Sequence, residues 1–115
     1  MKLTDLDAEF FRWAEYDGSD GLGKRTCIPH VATLAEAQGV IFDCPVCRSP
    51  GHSVMVGFRD RGVPAHLGTR DLAGNQTLWQ VSGTGLHDLT LQPSVDCTPS
   101  NPKCWHGFVT NGSIT

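Results

Sequence analysis

"FDCPVCRSPGHSVMVGF", residues 42–58, decides how the rest of the chain is read. Its ends are β-branched and aromatic, and its middle holds Cys44-Pro45-Val46-Cys47 followed by a Ser-Pro-Gly turn. The pattern predicts a strand, a knuckle bearing two thiols, and a returning strand. Two thiolates cannot complete a tetrahedral metal shell, so the knuckle demands partners from elsewhere in the chain.

Working outward, short β-branched or aromatic segments recur between Gly, Pro and Asn turns: 40–44, 52–58, 78–82, 89–95 and 106–110. They are read as strands of one small sheet. "TNGSI" (110–114) places Asn111-Gly112 between apolar residues, a two-residue hairpin signal. At the other end, Leu6, Phe10 and Trp13 follow helical spacing over residues 4–16, with Thr4 as N-cap and Asp5 and Asp7 in the first turn. Thr33 and Glu36 have capping-box spacing and Gly39 is a stop, which predicts about one helical turn over 33–39. Residues 16–25 and 59–76 read as loops, the second long enough to be a binding surface. The expected fold class is α+β, mainly β: a small zinc-stapled antiparallel sheet with a short N-terminal helix, in a single zinc-binding domain over residues 1–115.

Composition narrows the partners. The chain has 115 residues and a formal charge of -3, with 9 Lys plus Arg that form no cluster. No electrostatic footprint for nucleic acid or an anionic membrane results. No apolar run approaches the roughly 20 residues of a membrane span, and the first residues lack a secretory core. A soluble protein that begins life in a cytoplasm is expected. Cys27, Cys44, Cys47, Cys97 and Cys104 are odd in number, and in a reducing compartment thiols favour metal over disulfides.

The missing ligands are sought near the C-terminus, in "DCTPSNPKCWHGF" (96–108). Cys104 and His106 stand at i and i+2, on one face if the segment is extended. With the knuckle they make a Cys3His set of Cys44, Cys47, Cys104 and His106. Cys97 and His52 are reserve ligands that spacing does not exclude. A redox role for Cys44 and Cys47 would need a strand-to-helix junction, whereas a turn follows Cys47. Cys27 and His30 share an i, i+3 spacing but lack a complementary pair, so a free thiol and a surface histidine are expected. His66 and His87 lie in no motif, and Trp105 reads as core.

Several blocks together, "LAEAQGVIFDCPVC", "HSVMVGFRDRGVP", "SGTGLHDLTLQPSV" and "CWHGFVTNG", resemble a family of small phage and prophage proteins of unknown function that often carry the label ammonia monooxygenase. The resemblance covers roughly residues 31–112. Its Cys-Pro-x-Cys and Trp-His-Gly-Phe signatures fall on Cys44, Cys47 and His106, with Cys104 where some relatives have His. The enzyme label has no support in these residues: that enzyme is an integral-membrane copper protein, and this chain offers a thiolate-rich site suited to zinc.

The resemblance implies a phage protein, acting as a non-catalytic, zinc-stabilised virion or assembly accessory with phage or host proteins as partners, in the virion or the host cytoplasm. Alternatives are a host-cell interaction or counter-defence factor, and a zinc-dependent hydrolase. Catalysis by zinc needs an open coordination position and a base, for which Asp43, Asp96 or His87-Asp88 are available. The chain contains neither His-Glu-x-x-His nor the His-x-Glu of zinc deaminases. No catalytic residue is therefore assigned, and zinc is expected to be structural.

Overall fold

The structure, a computed structural model, describes residues 1–17, 24–47, 52–97 and 104–115. The turn expected over 48–51, the middle of the 16–25 loop and the 98–103 segment lie outside the described residues. The quoted stretch forms the expected pair. With strands numbered in chain order, β5 (Gly39–Asp43) and β6 (Ser53–Gly57) run antiparallel with Val40 opposite Val56 and Phe42 opposite Val54. The period of two sends those four side chains into the core, while Ile41 and Met55 on the other face are half-buried.

Two more strands complete this sheet, β1 (Glu9–Phe11) and β4 (His30–Val31), in the order β4-β1-β5-β6. Here the sequence reading is corrected. The helix expected over residues 4–16 is only a 3-10 turn, Leu3–Leu6, followed by β1 and β2 (Ala14–Asp17). Helical spacing of Leu6, Phe10 and Trp13 overlooked Phe11, which is fully buried and meets Trp13 edge-on with centroids 4.8 Å apart. Adjacent buried aromatics at Phe10 and Phe11 use both faces of a strand, which a one-sided helix cannot provide. Asp7, at φ 52°, ends the turn in the left-handed region. Gly39 lies beneath Phe11: a Cβ there would strike the ring and the Val56 carbonyl.

The remaining strands pair in twos: β2 with β3 (Lys24–Cys27), β7 (Gln80–Ser82) with β8 (Thr90–Gln92), β9 (Val95–Asp96) with β10 (His106–Gly107), and β11 (Val109–Thr110) with β12 (Ser113–Ile114). All these pairs are antiparallel. The 33–39 turn is present as Leu34–Glu36, with the Thr33 hydroxyl donating to Glu36 at 2.7 Å. The Asn-Gly hairpin also forms, Asn111 at φ 49° and Gly112 at φ 77° joining β11 to β12. Leu3, Phe42, Val56, Phe58, Leu91 and Val109 share one core cluster. Burying each such side chain stabilises by about 1.5–3 kcal/mol. Among the described residues, no helix is long and apolar enough to cross a membrane.

Candidate active site and metal centre

The knuckle closes against the C-terminal segment. Cys44 immediately follows β5 and has no exposed surface, and Cys44 Sγ lies 3.4 Å from Cys104 Sγ although 60 residues separate them. The fourth member is His52, whose Nε2 is 3.7 Å from Cys104 Sγ. The ligand atoms of Cys44, Cys47, His52 and Cys104 all lie within 4.8 Å of one another. A tetrahedral zinc with thiolate and imidazole ligands needs separations of about 3.3–3.8 Å, so small side-chain adjustments suffice.

The protonation of the sulfurs explains why a cation suits them. Burial raises the Cys44 thiol, but backbone N–H groups of Cys47, Trp105 and Val46 outweigh it and bring the group down to about 6. Burial, and then the Cys44 sulfur, pushes Cys47 up to about 11 and Cys104 up to about 12. One thiolate is stabilised by the backbone; several together require a positive charge among them.

His106 is placed elsewhere. The expected set of Cys44, Cys47, Cys104 and His106 differs from the observed cluster in its last member, where the reserve ligand His52 stands. Cys104 lies at a bend before β10, so the alternation that would put Cys104 and His106 on one face does not run between them. Cys104 and Trp105 are buried while His106 is exposed. Cys97, the other reserve, is half-buried beside Cys104, and its N–H donates to the Trp105 carbonyl at 2.9 Å. Trp105 packs edge-on against Phe42, centroids 6.0 Å apart, as a core residue does. Exposed Cys27 is opposite Ala14, His30 pairs with Glu9, and His66 sits 3.3 Å from Glu15.

His106 Nε2 lies 3.1 Å from the Ser94 hydroxyl oxygen. Ser94 immediately precedes β9 and His106 opens β10, and the register of these strands sets Asp96 directly across from His106. The Ser94 carbonyl accepts a hydrogen bond from Trp79 Nε1 at 3.1 Å, which fixes the backbone beneath the hydroxyl. Gly107 keeps the histidine's strand close to the core, since a Cβ there would collide with the Trp105 ring and the Thr115 carbonyl. A serine hydrogen-bonded to a histidine, with a carboxylate at the histidine's cross-strand position, can perform acyl transfer. No motif in the sequence marks Ser94; the signal available is Pro93-Ser94 interrupting the alternating segment 89–95.

A family model described as "Bacterial ubiquitination-like system serine protease (BubE)" matches residues 22–115. The chain belongs to the BubE family. No curated protein and no solved structure matches it. This membership overturns the phage-protein reading: the family is described as a protease of a bacterial system, not as a virion or assembly accessory. Of the alternatives, the zinc-dependent hydrolase is supported in its hydrolase part alone, because the family description names a serine protease.

Proposed function

We propose that this BubE-family chain is a serine peptidase acting on a polypeptide of a bacterial ubiquitination-like system, with Ser94 as nucleophile and His106 as general base. The observation that carries the reading is the 3.1 Å contact between Ser94 Oγ and His106 Nε2. Ser94 Oγ attacks the scissile carbonyl while His106 Nε2 accepts its proton; the proton then passes to the leaving amine, and water releases the acyl group from Ser94 by the same relay. Asp96, opposite His106 in the strand register, is the carboxylate positioned to orient the imidazole.

Zinc, held by Cys44, Cys47, His52 and Cys104, is structural in this account. A Cys3His shell is closed, leaving no position for a reacting water. Its task is mechanical: it ties the β5–β6 turn to Cys104, two residues before His106, and so anchors the strand that presents the base. Ser94→Ala and His106→Ala should each abolish cleavage of a fluorogenic peptide while the protein retains its zinc. Retained cleavage in either variant rejects the assignment.

A further inference from the structure

The outer edge of β6 faces the cleft beside Ser94. The Cys44 N–H donates to the His52 carbonyl at 3.2 Å and the Phe58 N–H to the Gln38 carbonyl at 2.8 Å, so even-numbered residues of this strand direct their backbone groups toward β5. Ser53, Met55 and Gly57 direct theirs outward. Part of that edge is already used. The Gly57 carbonyl accepts from the Trp79 N–H at 2.9 Å, the Arg59 N–H donates to the Trp79 carbonyl at 2.8 Å, and the Met55 carbonyl accepts from the Thr69 hydroxyl at 2.9 Å. Among the described residues, the Ser53 N–H and carbonyl and the Met55 N–H have no hydrogen-bond partner.

These three groups open into a cleft of about 180 Å3 whose walls include Ser53, Met55, Thr69, Trp79 and Val95. The opposite wall is also a strand edge. Because the Cys97 N–H and the Val95–Gly107 register commit odd-numbered residues to β10, the Ser94 carbonyl turns the other way, toward Trp79. A second lobe of about 160 Å3, sharing Thr69, Trp79 and Asp96 with the first, is lined by Ser94 itself.

We infer that an extended polypeptide substrate adds as a strand to the β6 edge at Ser53–Met55 and is led along this slot to Ser94; this rests on the serine-peptidase reading. Strand addition matches the one thing the slot offers in quantity, main-chain donors and an acceptor at strand spacing. Trp79 shows that this edge accepts an added segment, and the Thr69 hydroxyl, capping the Met55 carbonyl, ends the vacant stretch. The small volume admits backbone and short side chains rather than bulky ones.

The test separates the two claims. Fluorophosphonate labelling of the wild-type chain at Ser94 reports the nucleophile alone, and its absence rejects the peptidase reading. With labelling present, a fluorogenic octapeptide selected by cleavage from a random-sequence library serves as probe. Saturating this peptide on Ser94→Ala protein should slow amide hydrogen exchange at Ser53 and Met55 by about tenfold or more. Met55→Pro, which deletes an N–H that does not face β5, should raise KM by about tenfold with the melting temperature retained. Unchanged exchange at both amides, an unchanged KM in folded Met55→Pro, or a labelled enzyme that cleaves no member of the library overturns the inference. Should Met55→Pro fail to fold, the exchange experiment decides.

Discussion

Ser94 Oγ and His106 Nε2 are 3.1 Å apart across the junction of β9 and β10, while Cys104, two residues before that histidine, packs its sulfur against Cys44. The proposed nucleophile and one member of the candidate metal cluster, Cys104, therefore flank the same short strand pair, while Cys44, Cys47 and His52 come from the ends of β5 and β6. Each can be removed separately, which is what the first two predictions use.

Loss of the hydroxyl or the imidazole should cost activity without costing the fold. Ser94→Ala and His106→Ala are each expected to lower kcat/KM at least ~10³-fold, and the double variant little further, because the two side chains act as one unit. Exposed His106 should contribute within about 0.5 kcal/mol to stability. Peptide cleavage assays beside thermal melts check both statements, and additive kinetic losses would contradict the pairing.

The metal ligands should behave in the opposite way. About one equivalent of zinc per chain is expected, with Cys44→Ser and Cys104→Ser each destabilising by roughly 3 kcal/mol or more. Cys27→Ser, at an exposed free thiol, should cost little. His52→Ala should release zinc to a chelator faster than wild type, whereas His106→Ala should not. Elemental analysis and chelator competition distinguish the two histidines directly.

Asp88 makes an acid-sensitive contact away from the site. The Thr84 N–H, the Thr84 hydroxyl and the Gly85 N–H all donate to it and hold its carboxyl at about 2 instead of 3.8. A depressed folded-state value contributes stability that is fully present above the unfolded value and is lost as pH falls through the folded one. Wild-type stability should thus drop between about pH 4 and about pH 2 more steeply than that of Asp88→Asn, which lacks the titration. Parallel curves from chemical denaturation across that range would contradict the assignment.

Gly112→Ala should destabilise by about 1–3 kcal/mol from backbone strain alone, since Gly112 has φ 77°, and a Cβ there would also strike the His87 carbonyl. The Gly112 N–H donates to the Leu89 carbonyl at 2.8 Å, so the hairpin turn is packed against the chain leading into β8. Urea denaturation of the variant measures the loss.

Much of the β architecture was legible because strand alternation is a local signal. Val40, Phe42, Val54 and Val56 announce their faces, and Asn111-Gly112 announces its turn. At the N-terminus the spacing of Leu6, Phe10 and Trp13 is compatible with both helix and strand, and only the burial of Phe11 decides between them. Three cysteines of the cluster could be named from half-site spacing, but the choice between His52 and His106 depended on where β10 begins, a boundary that sequence does not mark. Ser94 stayed hidden for a different reason. A serine becomes a nucleophile through a histidine brought to it by tertiary pairing, and no fixed spacing announces that pair.

The most direct measurement is mass spectrometry of the intact chain and its peptides after incubation with a fluorophosphonate. A single adduct on Ser94 is expected, formed in wild-type protein and at least ~10³-fold more slowly in zinc-loaded, folded His106→Ala. No adduct on the wild-type chain, an adduct on another serine, or labelling of Ser94 at the same rate without His106 would contradict it.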